Sequence, residues 1–190
     1  MLAHIQGGLL NLSRLASGLG ASVPAVSRYI DLLEDLFLVR KLQPWASNVG
    51  KRLVRAPKVY IRDSGLTHNL LKIKDYDDLL GHPAVGGSWE GFVIENLLAD
   101  LPSWASPHFY RTSAGAEIDL VIEAGNKKVI AIEIKRSLSP SLSKGFLIGC
   151  EDVNATHRYF VYSGAERFRM SKEVTALPLK MMIEELKQIL

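Results

Sequence analysis

Two short alternating segments joined by a turn constrain this chain more than any other feature. Residues 117–122 (Glu-Ile-Asp-Leu-Val-Ile) and 129–135 (Val-Ile-Ala-Ile-Glu-Ile-Lys) place isoleucine or leucine at every second position. This is the period of a β-strand that buries one face. The intervening residues 123–128 (Glu-Ala-Gly-Asn-Lys-Lys) are turn-forming types. The sequence therefore predicts one β-hairpin.

The alternation also sets which side chains share a face of this hairpin. A turn centred on Asn126 pairs positions whose numbers sum to 252, so that Asp119 lies opposite Glu133 and Glu117 opposite Lys135. A slip of one residue would place these acids beside isoleucines of the buried face. Pattern and register therefore agree only in the first arrangement, which brings carboxylates and a lysine together.

Paired carboxylates of this kind suit a shared Mg²⁺ or Mn²⁺ ion. Hard divalent cations prefer oxygen ligands and keep waters for a phosphate and a nucleophile. Lys135 would orient or activate the attacking water, or offset charge developing on the phosphate. The competing interpretation is that Asp119, Glu133 and Lys135 are ordinary polar residues on the wet face of a half-buried hairpin.

A third acid lies in a segment predicted to be helical. Residues 88–100 have Ser88 as N-cap, and their apolar residues form one arc of the helix. Glu90 falls in the middle of that arc, where a carboxylate must be paired, protonated or bound to a cation. The alternative for Glu90 is an acid in the first turn, favoured by the helix dipole. Glu95 falls in the polar gap, which favours a solvated position.

The N-terminal region has the pattern of a helix-turn-helix. Asn11 caps a first helix, Gly20 makes the turn, and Ser22 caps a second helix. The apolar positions of the second helix leave Ser27 and Arg28 near its exposed N-terminal end, which a recognition helix presents to the major groove. Acids on the same helix, and the frequent use of winged helices in protein contacts, favour a protein-interaction module instead.

The net charge of +3 is distributed unevenly. Residues 1–62 hold nine Lys or Arg against three Asp or Glu, giving +6, whereas residues 63–190 hold fourteen against seventeen, giving −3. Much of the excess of basic residues lies between two predicted strands of a wing, residues 37–42 and residues 59–61. We expect this basic stretch to contact phosphates. The predicted DNA-contacting residues are Ser27, Arg28, Lys51, Arg52, Arg55 and Lys58.

Three runs of sequence together resemble a known domain. Trp89–Leu98, Tyr110–Asp119 and Ile132–Lys135 look like the DUF4143 domain, the C-terminal region of a large prokaryotic family of AAA+ ATPase-like proteins. The resemblance extends over nearly the whole chain, including Pro57–Leu66. It implies a PD-(D/E)XK nuclease-like fold behind a winged helix-turn-helix.

The signature residues of that fold map onto Glu90 (alternatively Glu95), Asp119, Glu133 and Lys135. The resemblance also implies an ATPase domain or subunit as a partner, because family members normally carry an N-terminal ATPase module. This chain contains no G-x-x-x-x-G-K-[ST] phosphate-binding loop, so we do not expect it to hydrolyse ATP. A C-terminal fragment, a truncated product and a stand-alone derivative all fit such a sequence.

The predicted fold class is α/β of the α+β kind. A winged helix-turn-helix covers residues 1–66 and a connector covers 67–85. A restriction-endonuclease-like αβββαβ core covers 86–190, and its last element, from 179, is an amphipathic helix.

Composition excludes several other classes. With 47% hydrophobic and 23% charged residues, the chain is an ordinary globular protein. The lack of a membrane-length apolar run and of a signal-peptide pattern leads us to expect a cytoplasmic protein without membrane contact. Cys150 is the single cysteine, which rules out an internal disulfide, and we expect it to be buried.

Two functions remain open. The first is an Mg²⁺- or Mn²⁺-dependent DNA endonuclease. Its residues are Asp119, Glu133 and the Ile134 carbonyl as metal ligands, Glu90 as their support, and Lys135 as helper of the nucleophile. The second is a non-catalytic DNA-binding or protein-interaction module, in which the acids and the lysine form a structural ion-pair network. The acidic balance of residues 63–190 favours the second, because it weakens attraction for a polyanion.

Overall fold

The computed structural model describes residues 1–45 and 51–190, and the chain divides into two compact units. Residues 43–55 cluster with the second unit although they precede part of the first, and the predicted connector, residues 67–85, lies in the first. The units are therefore not consecutive along the chain. The first comprises Met1–Leu42 and Ala56–Phe92, and the second comprises Gln43–Arg55 and Val93–Leu190.

The first unit holds short helices and a two-stranded antiparallel sheet. In chain order its elements are a 3-10 turn (Leu2–Ile5), α1 (Leu12–Leu19), α2 (Val23–Asp35), β1 (Val39–Leu42), β2 (Lys58–Ile61), α3 (Ser64–Leu70) and α4 (Tyr76–Gly81). Helix α5 (Val85–Leu98) begins in this unit.

The caps predicted for the first two helices are confirmed. The Asn11 side chain accepts a hydrogen bond from the Arg14 amide at 2.9 Å, and Ser22 Oγ accepts one from the Ala25 amide at 3.4 Å. Gly20 ends α1 with φ of 61°, a backbone conformation that glycine adopts without steric cost. The two helices and the β1–β2 pair bury one small apolar core. Their assignment as a winged helix remains a prediction.

Helix α5 begins at Val85, three residues before the predicted cap. Ser88 is instead buried within the helix, and its hydroxyl lies 2.7 Å from His68 Nε2. The prediction of Ser88 as N-cap is therefore wrong, because its hydroxyl bonds to a side chain of another helix rather than to a backbone amide of its own.

The second unit is built on a six-stranded mixed sheet in the order β3-β4-β5-β6-β8-β7. Its elements are β3 (Ser106–Arg111), β4 (Glu117–Ala124), β5 (Lys128–Lys135), α6 (Lys144–Asp152), β6 (His157–Tyr162), β7 (Phe168–Arg169), β8 (Val174–Pro178) and α7 (Leu179–Ile189). Among residues 1–45 and 51–190, no helix is long and apolar enough to cross a membrane.

The predicted α+β class and the element order from α5 to β6 are confirmed. Strands β4 and β5 form the predicted hairpin in the predicted register, with Leu120 opposite Ile132 and Ala124 opposite Lys128. Strands β7 and β8 were not predicted. The hairpin differs from a half-buried one because both of its faces are covered: Leu120 and Ala131, which point to opposite faces, each have 0% of their surface exposed.

Helix α6 covers one face of this sheet. Ser143 caps it by accepting a hydrogen bond from the Phe146 amide at 3.0 Å, and Cys150 is buried in the core that α6 shares with β4, β5 and β6, as expected. At Gly149 the helix approaches β4 so closely that a Cβ would lie 2.9 Å from Ile118 Cγ1. The absence of a side chain at Gly149 therefore sets the distance between helix and sheet.

We expect Gly149→Ala to lower the free energy of unfolding by about 1–3 kcal/mol, because the added methyl group overpacks a buried contact. Urea titration followed by circular dichroism measures the change. Gly125→Ala is the matched control: no atom lies within 4 Å of its Cβ position, so its effect should stay within about 0.5 kcal/mol. Equal losses in both variants would contradict close packing at Gly149.

Candidate functional site

Two carboxylates are buried at one end of the second unit's sheet. Asp119 on β4 is 3% exposed and Glu133 on β5 is 5% exposed. Glu133 shares its strand face with Val129 and Ala131, which pack in the core beneath α6. The interpretation of these acids as residues on a wet face is therefore wrong, because the helix covers that face.

A β-bulge re-aims Asp119. On β3, His108 pairs with Val121 and Tyr110 pairs with Ile118. The one β3 residue between His108 and Tyr110 therefore lies opposite two residues of β4, Asp119 and Leu120. The β4–β5 pairs run only as far as Leu120 and Ile132. Beyond that point Asp119 Oδ2 accepts a hydrogen bond from the Ile134 amide at 2.9 Å. The carboxylate thus takes a backbone donor of the neighbouring strand and is fixed in orientation by it.

Lys135 bridges the two acids. Its Nζ lies 2.9 Å from Asp119 Oδ2 and 3.1 Å from Glu133 Oε1. The lysine side chain is 50% exposed, whereas the carboxylates are nearly inaccessible. With both acids ionised, one cation faces two anions, so this cluster retains a negative charge where solvent screens it poorly.

The pKa of Glu133 reflects both its burial and its charged neighbours. Burial, and then the neighbouring charges of Asp119 and Glu117, raise the pKa of Glu133 to about 8, although Lys135 opposes the shift. Burial acts to lower the pKa of Lys135, but the two carboxylates outweigh it and raise that pKa above its usual value. Lys135 therefore stays protonated, and Glu133 is the group whose charge is costly.

The donor set fits Mg²⁺ or Mn²⁺. Both ions bind oxygen ligands, and Mg²⁺ commonly uses one or two carboxylates and completes its shell with water and substrate phosphate. Asp119, Glu133 and the Ile134 carbonyl are the candidate ligands. No group of three or more His, Cys, Asp or Glu side chains in residues 1–45 and 51–190 is arranged to hold a metal. A site closed by protein ligands alone, as for structural zinc, is thus not available there.

Glu90 is paired within the first unit. Its Oε1 accepts hydrogen bonds from Lys58 Nζ at 2.9 Å and from the Tyr60 hydroxyl at 2.5 Å. The expectation that a carboxylate on the apolar arc needs a partner is confirmed. Because a cation and a hydroxyl already satisfy this carboxylate, the burial of Glu90 needs no metal to explain it.

The predicted DNA-contacting residues fall in three settings. Arg28, near Ser27 on α2, is exposed in the first unit. Arg52 and Arg55 are exposed in the second unit. The remaining two residues form ion pairs. Lys51 Nζ lies 2.6 Å from Asp152 Oδ1. Lys58 is 3% exposed and is paired with Glu90. Lys58 therefore has almost no surface to offer a phosphate.

Sequence reasoning missed one charged neighbour of the site, Arg111. Arg111 Nε lies 3.5 Å from Glu117 Oε2, and Glu117 contributes to the raised pKa of Glu133. The alternation of β4 placed Glu117 on the face of Asp119, and this was the available signal. No signal in the sequence indicated Arg111, because its contact with Glu117 depends on the pairing of β3 with β4.

Similar proteins have been found by sequence and by structure. The chain is 42% identical over 179 residues to the uncharacterized proteins Mb2031c of Mycobacterium bovis and Rv2008c of Mycobacterium tuberculosis. The match covers 94% of this chain and 40% of each relative, so the chain spans less than half of their length. One solved chain, from a half-complex of Thermococcus gammatolerans McrB AAA+ hexamers with bound McrC, matches with a TM-score of 0.42 and 16% identity. That match covers 55% of this chain and 33% of the solved one.

Two family models match the chain. Residues 1–77 match a domain of unknown function, DUF8612, and residues 85–182 match another, DUF4143. The DUF4143 match is thus confined to the later part of the chain, rather than extending over nearly all of it as the resemblance implied. Because that match covers more than half of the 190 residues, the chain belongs to the DUF4143 family.

Proposed function

We propose that the second unit hydrolyses phosphodiester bonds in DNA with the help of Mg²⁺ or Mn²⁺. The observation that carries the proposal is the burial of Asp119 and Glu133 beside Lys135, whose side chain is half exposed. When both acids are ionised, their two negative charges exceed the one positive charge of this lysine. A small divalent cation is the partner that best neutralises this excess.

When bound, the metal ion polarises the scissile phosphate and lowers the pKa of a bound water. Asp119 and Glu133 provide the anionic oxygens that hold the ion. The hydrogen bond from the Ile134 amide fixes the orientation of Asp119 before the ion arrives, which reduces the rearrangement that binding requires.

Lys135 acts as a charged donor in this proposal. Because its pKa lies above the usual value, it is not a proton acceptor at neutral pH. Its flexible, half-exposed side chain swings away from the acids and donates hydrogen bonds to the attacking water or to a phosphate oxygen. Of the roles considered from the sequence, orientation and charge compensation are therefore favoured over abstraction of a proton.

A second candidate function is favoured by the same contacts. Lys135 already bridges both acids at hydrogen-bonding distance, which is what a purely structural ion-pair network requires. In that case the sheet is a scaffold, and the protein binds DNA or another protein without turnover. Measurement of DNA cleavage, and of its dependence on a metal ion, distinguishes the two functions.

The first unit enters neither mechanism as a catalyst. Glu90 has Lys58 and Tyr60 as partners, and the proposal does not depend on it. The unit holds eight Lys or Arg against eight Asp or Glu and an apolar pocket of about 670 Å³. These features favour its use as a protein-interaction module over broad contact with DNA.

We expect the protein to cleave plasmid or branched DNA when Mg²⁺ or Mn²⁺ is present. Asp119→Asn should abolish cleavage because it removes a ligand charge, and Lys135→Ala should slow it at least about 100-fold because it removes the orienting donor. Agarose gel electrophoresis of the DNA measures both.

Glu123→Gln and Lys127→Ala are the matched controls, since both residues are exposed and lie on the same hairpin. Circular dichroism confirms that each variant is folded. Cleavage that survives Asp119→Asn comes from another site or a contaminant, and would contradict the proposal.

The raised pKa of Glu133 predicts a pH-dependent stability. The folded protein holds this proton more tightly than the unfolded chain does, so its stabilising contribution is complete below pH 4.5 and is lost as pH rises through about 8. Without metal, stability should therefore fall from pH 5 to pH 8, by no more than about 1.4 kcal/mol per pH unit. Mg²⁺ should restore it, because the ion binds only the folded acids.

Melting temperatures at several pH values, in EDTA and in Mg²⁺, measure both effects. Glu133→Gln should show neither the additional pH dependence nor the Mg²⁺ effect, whereas Glu123→Gln should behave like the parent. The metal assignment fails if Mg²⁺ stabilises the parent and Glu133→Gln equally.

A further inference from the structure

The described parts of the segment 43–55, residues 43–45 and 51–55, lie beside the sheet that carries the candidate site. The Trp45 amide donates to the Phe109 carbonyl at 2.7 Å, and farther along β3 Leu53 forms an antiparallel bridge with Thr112. Strand β3 is at the edge of the six-stranded sheet, so the described parts of the segment occupy an edge that would otherwise be open.

Side chains anchor the same segment. Trp45 is buried in the core of the second unit, with its ring centroid 6.2 Å from that of Tyr110. Lys51 is paired with Asp152 at the end of α6. Both described parts of the segment are therefore fixed to the second unit.

This placement changes the charge of the unit that holds the acids. The second unit contains 15 Lys or Arg against 12 Asp or Glu, a net charge of +3, and the first unit contains 8 against 8. Lys51, Arg52 and Arg55 supply the whole excess, because residues 93–190 alone hold 12 of each sign. The acidic balance that argued against a polyanionic substrate disappears once these residues are counted with their own unit.

A chain of contacts connects the basic segment with the acids. The Ser113 amide donates to the Arg52 carbonyl and the Val54 amide to the Arg111 carbonyl, both at 3.0 Å. Arg111 is paired with Glu117 on β4, with 3.5 Å between their side chains, and Glu117 lies two residues before Asp119 on the same strand. The basic segment and the candidate site therefore lie at the same end of the sheet.

We infer that Arg52 and Arg55 form a DNA-backbone contact strip that positions a phosphodiester for Asp119 and Glu133. Both arginines are exposed, and the guanidinium group suits phosphate oxygens. Lys51 is committed to Asp152 and Lys58 to Glu90, so neither belongs to the strip. The substrate in this inference rests on the proposed function. The predicted DNA contact then lies on the second unit and not on the predicted winged helix.

The test compares two double charge reversals of equal size. Arg52→Glu/Arg55→Glu removes the strip, and Arg14→Glu/Arg28→Glu alters two exposed arginines of the first unit, including one on the predicted recognition helix. Fluorescence anisotropy with a labelled 20-base-pair duplex, in EDTA and at several salt concentrations, reports binding without cleavage. Arg52→Lys/Arg55→Lys tests whether charge alone is needed, and circular dichroism checks each fold.

The strip reversal should weaken DNA binding at least about 10-fold and reduce the slope of log K against log salt by about 2, since two phosphate contacts are lost. The lysine double variant should retain most of the binding, and the first-unit reversal should change it less than about threefold. Equal weakening by both reversals would mean a bulk charge effect and would overturn the inference. Stronger weakening by the first-unit reversal would assign DNA contact to α2 and would overturn it as well.

The experiments distinguish an error in the contact strip from an error in the proposed function. Asp119→Asn should bind the duplex as the parent does while cleaving nothing. A parent that cleaves DNA but is insensitive to Arg52→Glu/Arg55→Glu refutes the strip alone. A parent that binds through the strip but never cleaves refutes the nuclease and leaves a DNA-binding scaffold.

Discussion

Asp119 and Glu133 carry like charges into a part of the sheet where water reaches neither. Their burial depends on α6 above one face of β5 and on the bulge that turns Asp119 toward the Ile134 amide. Burial, followed by the charge of Asp119, raises the pKa of Glu133, although Lys135 contacts both acids and opposes the shift. A fold that only needed stability would be expected to replace such a cluster with apolar side chains. In the proposed function, this cluster is the site that binds a cation, and the rest of the second unit positions its side chains.

The second unit gains basic residues from a segment that lies early in the chain. The segment that contains Arg52 and Arg55 precedes β2 in the chain, yet it joins the sheet of the other unit along β3. Its charge is thereby counted with the unit that holds the acids and not with the first unit. In the proposal, the two arginines bind the DNA backbone and the acids bind the ion, so the two signs of charge have different roles.

Local pattern was sufficient to predict the hairpin and its register, because the turn length and the period of two leave only one pairing that keeps the isoleucines buried. It was also sufficient for the caps of α1 and α2, which are made by residues three apart. The features that were missed all depend on distant pairing. The bulge at Asp119 exists only against β3, and Lys58 meets Glu90 across 32 positions of sequence. The assignment of residues 43–55 to the second unit has the same cause, since no local signal reports the edge of a sheet.

We propose that the two buried carboxylates hold one divalent cation. Titration of Mn²⁺ at pH 8, followed by electron paramagnetic resonance of the unbound ion, tests this binding without reference to any substrate. We expect one bound Mn²⁺ per chain in the parent, competition by Mg²⁺, loss of binding in Asp119→Asn, and unchanged binding in Glu123→Gln. Failure of the parent to bind Mn²⁺, or undiminished binding by Asp119→Asn, would contradict it.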